Sequence, residues 1–258
     1  AASDVYKRQA LVLGSMLVGL SGCNITDFSA ENLLRPPKAV GDEAEIEQLI
    51  AKTADSGYTL KYPKNGKFRS AIIMTDLDGN DSNEAVAFFR NSAETSSVHM
   101  LVMYSKDNSW EIASDNIFET TDIDSVDFAD LTGNGKAEII VNSTTYTPNV
   151  GKLSCYSYSE GKTNEVGSGQ SCSSFVTGDF DNDGTSEIMS LVLYTTENEA
   201  LASMLDYNED SKSLYAKAMA NMDPNVVKYK NIAVTKLNND ITGIVVDGTS
   251  ANLSLIHI

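Results

Sequence analysis

The sequence predicts an all-β fold: a β-propeller-type array of four-stranded blades, incomplete as a ring, after one short N-terminal helix. Three observations carry this. Short β-rich runs alternate with Gly, Asn, Asp and Ser clusters from about residue 58 onward, the pattern of consecutive strands joined by tight turns. One strand–acidic loop–strand unit recurs four times, with starts 54, 49 and 57 residues apart. A period near 50 with room for four short strands per unit suits a propeller blade.

The elements follow in chain order. Residues 10–20, ALVLGSMLVGL, form an apolar run of 11 residues. That is too short for a membrane-spanning helix, which needs about 20 residues, and it suits the apolar core of a signal peptide. It leads into Leu20-Ser21-Gly22-Cys23, which resembles the lipobox of bacterial lipoprotein signal peptides. The resemblance implies cleavage before Cys23, a lipid on its thiol, and export to the outer face of the bacterial cytoplasmic membrane or the cell surface. Residues 1–23 are thus expected to be a signal peptide. The terminal strings AASDVYKRQ (1–9) and LSLIHI (253–258) resemble translated adapter read-through on a metagenomic fragment. They are set aside, and the natural protein is expected to continue past residue 252.

Residues 24–40, with Pro36-Pro37, read as an extended tether. Residues 41–57 hold one short amphipathic helix: Ile46, Leu49, Ile50 and Ala54 recur at helical spacing behind Asp42, Glu43 and Glu45, acids placed at the favourable end of the helix dipole. Residues 58–252 are the repeats. Strands are expected in the runs 69–75, 84–90, 98–104 and 109–114, and Ser213–Met219 is read as a strand.

The loops carry the chemistry. The first, DLDGNDSNE, spans Asp76 to Glu84; the second, DLTGNGKAE, Asp130 to Glu138; the third, DFDNDGTSE, Asp179 to Glu187. A degenerate fourth spans Lys236 to Ile244. Oxygen-bearing side chains at positions 1, 3 and 5, with Gly at 4 or 6, let a tight turn gather carboxylates around one hard cation, and the acid at position 9 closes the far side. Calcium accepts 6–8 oxygens in flexible geometry, whereas magnesium demands a stricter octahedron. An ordinary surface turn explains one acidic loop but not a position-9 acid repeated three times in register. EF-hand loops are excluded: they place an acid at position 12 and begin a helix there, but position 12 is Ala87, Val141 and Ser190 inside β-rich runs.

The loops resemble FG-GAP/VCBS repeats, the calcium loops of integrin-α-type propellers, over roughly residues 66–250. The resemblance implies ligand side chains at Asp76, Asp78, Asn80 and Glu84; at Asp130, Thr132, Asn134 and Glu138; and at Asp179, Asp181, Asp183 and Glu187. Main-chain carbonyls of Ser82, Lys136 and Thr185 would complete each shell. The chain departs from the family in its final Glu, where Asp is usual, and in Thr132. Lys236 and Ile244 replace the outer ligands of loop four, which is expected to bind nothing, its ammonium standing in for the cation. Two to three structural Ca2+ sites are expected, loop three tightest and loop two weakest.

Composition narrows the function. A net charge of −17 and a pI near 4.4 disfavour nucleic acid and charge-driven lipid binding. With Cys23 lipidated, Cys155 and Cys172 remain as an even pair. Export permits a disulfide between them; two half-buried thiols are the alternative. The two histidines are His99 and His257; the first falls in a strand and the second in the set-aside tail. No catalytic constellation is visible, so no enzyme activity is expected of these residues. Trp110, Tyr146, Tyr156 and Tyr158 are read chiefly as blade core or cross-strand partners, with a ligand surface as the alternative. The expected function is a calcium-binding, lipid-anchored surface module for adhesion or binding of a protein or glycan. The alternative is the non-catalytic part of a surface carbohydrate-active enzyme or peptidase whose catalytic domain lies elsewhere.

Overall fold

The alternation of apolar strands with acidic turns folds as its period demands. The computed structural model describes residues 41–55, 57–147, 150–194, 199–221, 226–236 and 242–250. The signal peptide with Cys23, the tether 24–40, both terminal strings and residues 237–241 of loop four lie outside the described residues. Every element below lies within Val40–Ile258.

Helix α1 (Asp42–Ala54) begins after Gly41 at φ 63°, with Asp42, Glu43 and Glu45 in its first turn and Lys52 in its last. Ile46, Ile50 and Ala54, spaced four apart, form its buried face. Among the described residues, four consecutive antiparallel sheets follow. Blade one comprises β2 (Ile72–Thr75), β3 (Glu84–Asn91), β4 (Val98–Lys106) and β5 (Ser109–Phe118). The short β1 (Tyr58–Leu60) extends it by pairing with the far end of β3, Tyr58 opposite Asn91. Blade two is β6 (Ile123–Ala129), β7 (Glu138–Thr144), β8 (Gly151–Ser159) and β9 (Lys162–Cys172). Blade three is β10 (Ser174–Gly178), β11 (Glu187–Tyr194), β12 (Glu199–Asn208) and β13 (Ser213–Asn221). A hairpin, β14 (Val226–Lys236) with β15 (Thr242–Ser250), follows. The first strands lie side by side, β10 against β6 on one flank and β14 on the other. The described residues thus form an all-β, blade-like array with one helix.

Three cores among the described residues hold it together. In β3 every residue from Glu84 to Phe89 is buried, because both sheet faces are covered and successive side chains point to opposite faces. One face sends Val86 and Phe88 against Ile123, Val126, Ile139 and Val141 of blade two. The other sends Ala85, Ala87 and Phe89 against Ile46, Ile50 and Ala54 of α1. The third core joins Ile140, Leu153 and Cys155 of blade two to Ile188, Leu205 and Leu214 of blade three. Helix α1 therefore covers the face of blade one opposite blade two, as terminal repeats of stacked arrays require a cap. Each fully buried Ile or Phe side chain contributes about 1.5–3 kcal/mol of transfer free energy.

Cys155 and Cys172 are free, fully buried thiols in the third core. The disulfide alternative is corrected by strand register. Cys155 lies opposite Gly167 and Cys172 opposite Gly151, which places them four residues apart along β8. At about 3.3 Å per residue that is about 13 Å, well beyond the roughly 7 Å between Cα atoms that a bridge tolerates. Burial pushes both thiols up.

Candidate metal centre

Each of loops one to three closes a first-to-second-strand hairpin, with the residue before position 1 paired to the Glu at position 9: Thr75 with Glu84, Ala129 with Glu138 and Gly178 with Glu187. The chain turns by placing positions 4 and 6 at positive φ: Gly79 and Asp81, Gly133 and Gly135, Asn182 and Gly184. Gly reaches this region without steric cost, and Asn and Asp are the side chains that tolerate it best. Hence Gly recurs at these two positions and is replaced only by Asn or Asp.

The same hydrogen bonds recur in all three loops. The position-1 Asp accepts from the amides of positions 5 and 6: Asp76 from Asn80 and Asp81, Asp130 from Asn134 and Gly135, Asp179 from Asp183 and Gly184. The position-5 side chain accepts from the amide of position 7, so Ser82, Lys136 and Thr185 donate to Asn80, Asn134 and Asp183. The position-9 Glu turns inward and accepts from the position-2 amide at 2.8 Å in every copy, from Leu77, Leu131 and Phe180. Partial desolvation raises Asp76, but the amides of Asp81, Gly79 and Asn80 outweigh it and hold its carboxyl below the ordinary range.

Neighbouring loops are joined to one another. Ala137 donates its amide to the Leu77 carbonyl at 3.0 Å, and Ser186 donates to the Asp130 carbonyl at 2.9 Å. The loops thus form a row along one end of the array.

Among the described residues, two loops gather acids closely enough to hold a metal ion. In loop three, one oxygen from each of Asp179, Asp181, Asp183 and Glu187 lies within 4.8 Å of the others, and Asp76, Asp78 and Glu84 do the same in loop one. Glu187 is fully buried, and its Oε1 has no hydrogen-bond partner; Asp78 Oδ1 is likewise buried and unpartnered. A buried acceptor without a donor costs about 1–3 kcal/mol or more, and a cation bound beside either oxygen would remove that cost. Loop two differs. It brings only Asp130 and Glu138 as acids, and Thr132 donates its hydroxyl to Glu138 Oε1 at 3.3 Å. In loop four the backbone pairing shifts, Lys236 lying opposite Thr242 and Thr235 opposite Gly243. Position 1 is thus part of the strand ladder there.

Burial raises all three Glu carboxyls, Glu138 to about 7. For Glu138 the Leu131 amide opposes burial, and Asp130 adds repulsion. A raised carboxyl stabilises the folded chain fully below the ordinary value of 4.5 and loses that contribution as pH climbs through about 7. In chelator, the wild-type chain is therefore expected to lose up to about 3 kcal/mol relative to Glu138→Gln across that window. Urea midpoints at each pH measure it, and parallel wild-type and variant curves would contradict it.

Sequence reasoning missed Lys217 and Asp206. Lys217 on β13 donates to Asp181 Oδ2 at 2.5 Å and to Asp206 Oδ2 on β12 at 2.8 Å, reaching loop three from a strand 36 residues on. The available signal was a single charge inside the run AKAMA. His99 is buried on β4, its Nδ1 2.9 Å from Asp115 and Nε2 3.4 Å from Glu94, its ring stacked on Phe89. Trp110, Tyr156 and Tyr158 are buried, while Tyr146 is exposed.

Fold and site together define an all-β array of antiparallel blades whose acidic loop clusters could hold metal ions. No family model matches the chain, and no curated protein sequence matches it. Among solved structures it is similar to NanB with Optactamide, and to a mutant of NanB sialidase from Streptococcus pneumoniae. Each match has 15% identity and a TM-score of 0.41, covering 75% of this chain and 30% of the other. The chain thus spans under a third of those proteins' length, and a likeness at that score carries no weight for activity or substrate. Among the described residues, no helix is long and apolar enough to cross a membrane.

Proposed function

We propose that the chain is a non-catalytic, calcium-stabilised repeat protein, held at the bacterial surface by a lipid on Cys23 and presenting its blades to a protein or glycan. The carrying observation is the pair of acidic clusters with a buried, unpartnered carboxylate oxygen in each, Asp78 Oδ1 and Glu187 Oε1. Hard oxygen donors in a flexible loop suit calcium rather than zinc or copper, which select nitrogen and sulfur. The residues present therefore fit the ion: Asp76, Asp78 and Glu84 would hold one, and Asp179, Asp181, Asp183 and Glu187 another. Each ion would neutralise a crowded carboxylate set and pin the turn that starts a blade. Its binding energy would then add to folding stability.

Calcium titration calorimetry on the chelator-treated chain is the test. About two ions per chain are expected, with dissociation constants of about 10⁻⁴–10⁻³ M as in extracellular modules. An absence of saturable binding would sink the reading. The blade repeats supply surface and stability, and the lipid on Cys23 supplies location.

A further inference from the structure

The strand β13 carries a bulge whose position relates it to loop three. Met204 lies opposite Ala218 and Leu205 opposite Ala216, so Lys217 is the extra residue with no cross-strand partner. A bulge re-aims the side chain at that point, and here it turns the ammonium onto Asp181. Lys217 Nζ is held at 2.5 Å from Asp181 Oδ2 and 2.8 Å from Asp206 Oδ2. Tyr215 fixes Asp206 in turn, its hydroxyl donating to Asp206 Oδ2 at 3.2 Å. Among the described residues, no ion pair of this kind reaches the carboxylates of loops one or two.

We propose that Lys217 is a resident counter-ion of loop three that sets this loop's cation affinity, holding it below what four carboxylates alone would give. The inference rests on the calcium reading above. Its physics is competition. A positive charge bonded to one ligand carboxylate repels an incoming divalent ion and withdraws charge from Asp181. In the metal-free chain it relieves repulsion among Asp179, Asp181, Asp183 and Glu187 and keeps the turn folded. Asp206 tempers this role by sharing the ammonium. Deleting the Lys charge must therefore tighten calcium binding, and deleting the Asp206 charge must weaken it.

The test is calcium titration calorimetry on the full chain carrying Asp78→Asn to silence loop one, compared with the same chain bearing Lys217→Met, Lys217→Arg or Asp206→Asn. Lys217→Met is expected to tighten loop three about tenfold, the scale of one charge a few Å away in partly exposed surroundings. Asp206→Asn is expected to weaken it about threefold, and Lys217→Arg to leave it near the parent value. Opposite signs for two neighbouring changes separate a charge effect from a loosened loop. Calcium binding that is equal in the parent and Lys217→Met, or tighter in both Lys217→Met and Asp206→Asn, overturns the role of Lys217 alone. No binding in the wild type or any variant overturns the calcium reading itself.

Discussion

Calcium at about 10 mM is expected to raise the melting temperature of the wild-type chain by roughly 6–20 °C, and Asp179→Ala/Asp181→Ala to remove one site's share of that gain. With dissociation constants of about 10⁻⁴–10⁻³ M, each site contributes about 1.4–2.7 kcal/mol by mass action. Two sites together contribute about 3–5 kcal/mol, and a domain of this size gains about 2–4 °C per kcal/mol. The readout must be the calcium-induced increment. Asp179 also accepts the amides of Asp183 and Gly184, so its removal lowers the metal-free melting temperature through lost turn bonds. Thermal scans with chelator and with calcium separate the two effects. An equal calcium increment in wild type and variant means that loop three holds no ion. Loop one supplies the remaining increment, because Asp76, Asp78 and Glu84 are unchanged.

What the sequence made legible was local. The nine-residue spacing sets which side chains meet, so the three loops, the strands on either side of them and the helix face of Ile46, Ile50 and Ala54 could be read directly. The loop geometry deepens one point: the Glu at position 9 is held by the position-2 amide in every copy, since the 2.8 Å bond recurs even in loop two, where the acid cluster is poorest. The illegible parts depend on residues far apart in the chain. The docking of α1 on blade one joins residues 46–54 to residues 85–103, and nothing in either segment names the other. Lys217 reaches Asp181 because a bulge shifts register by one residue, a displacement that composition does not encode. The two cysteines fall on adjacent strands, but the β8–β9 register sets them four residues apart.

The adjacent residues Phe88 and Phe89 give the second large effect, and they differ in what they hold. Both are fully buried on the same strand, and truncating either to Ala is expected to cost about 3–5 kcal/mol, the sum of lost transfer energy and a residual cavity. Phe88 sits in the core shared with Ile123, Ile139 and Val141, so Phe88→Ala weakens the blade one–blade two interface. Phe89 sits under α1, edge-on to Tyr58 at 6.2 Å and stacked on His99 at 4.8 Å, so Phe89→Ala weakens the cap. Hydrogen exchange distinguishes them. In Phe89→Ala the amides of α1 are expected to exchange well before those of β7 and β8, because a helix of 13 residues is marginal once its apolar face loses its seat. In Phe88→Ala, protection is expected to fall together across β3, β4, β7 and β8, as strands on both sides of one interface lose a shared core. Identical exchange patterns in the two variants would mean that α1 and blade two do not pack on opposite faces of β3 as independent partners. Distinct patterns make α1 an end cap whose removal exposes Ala85, Ala87, Leu101 and Met103 as one apolar face, leaving blade two seated on the other.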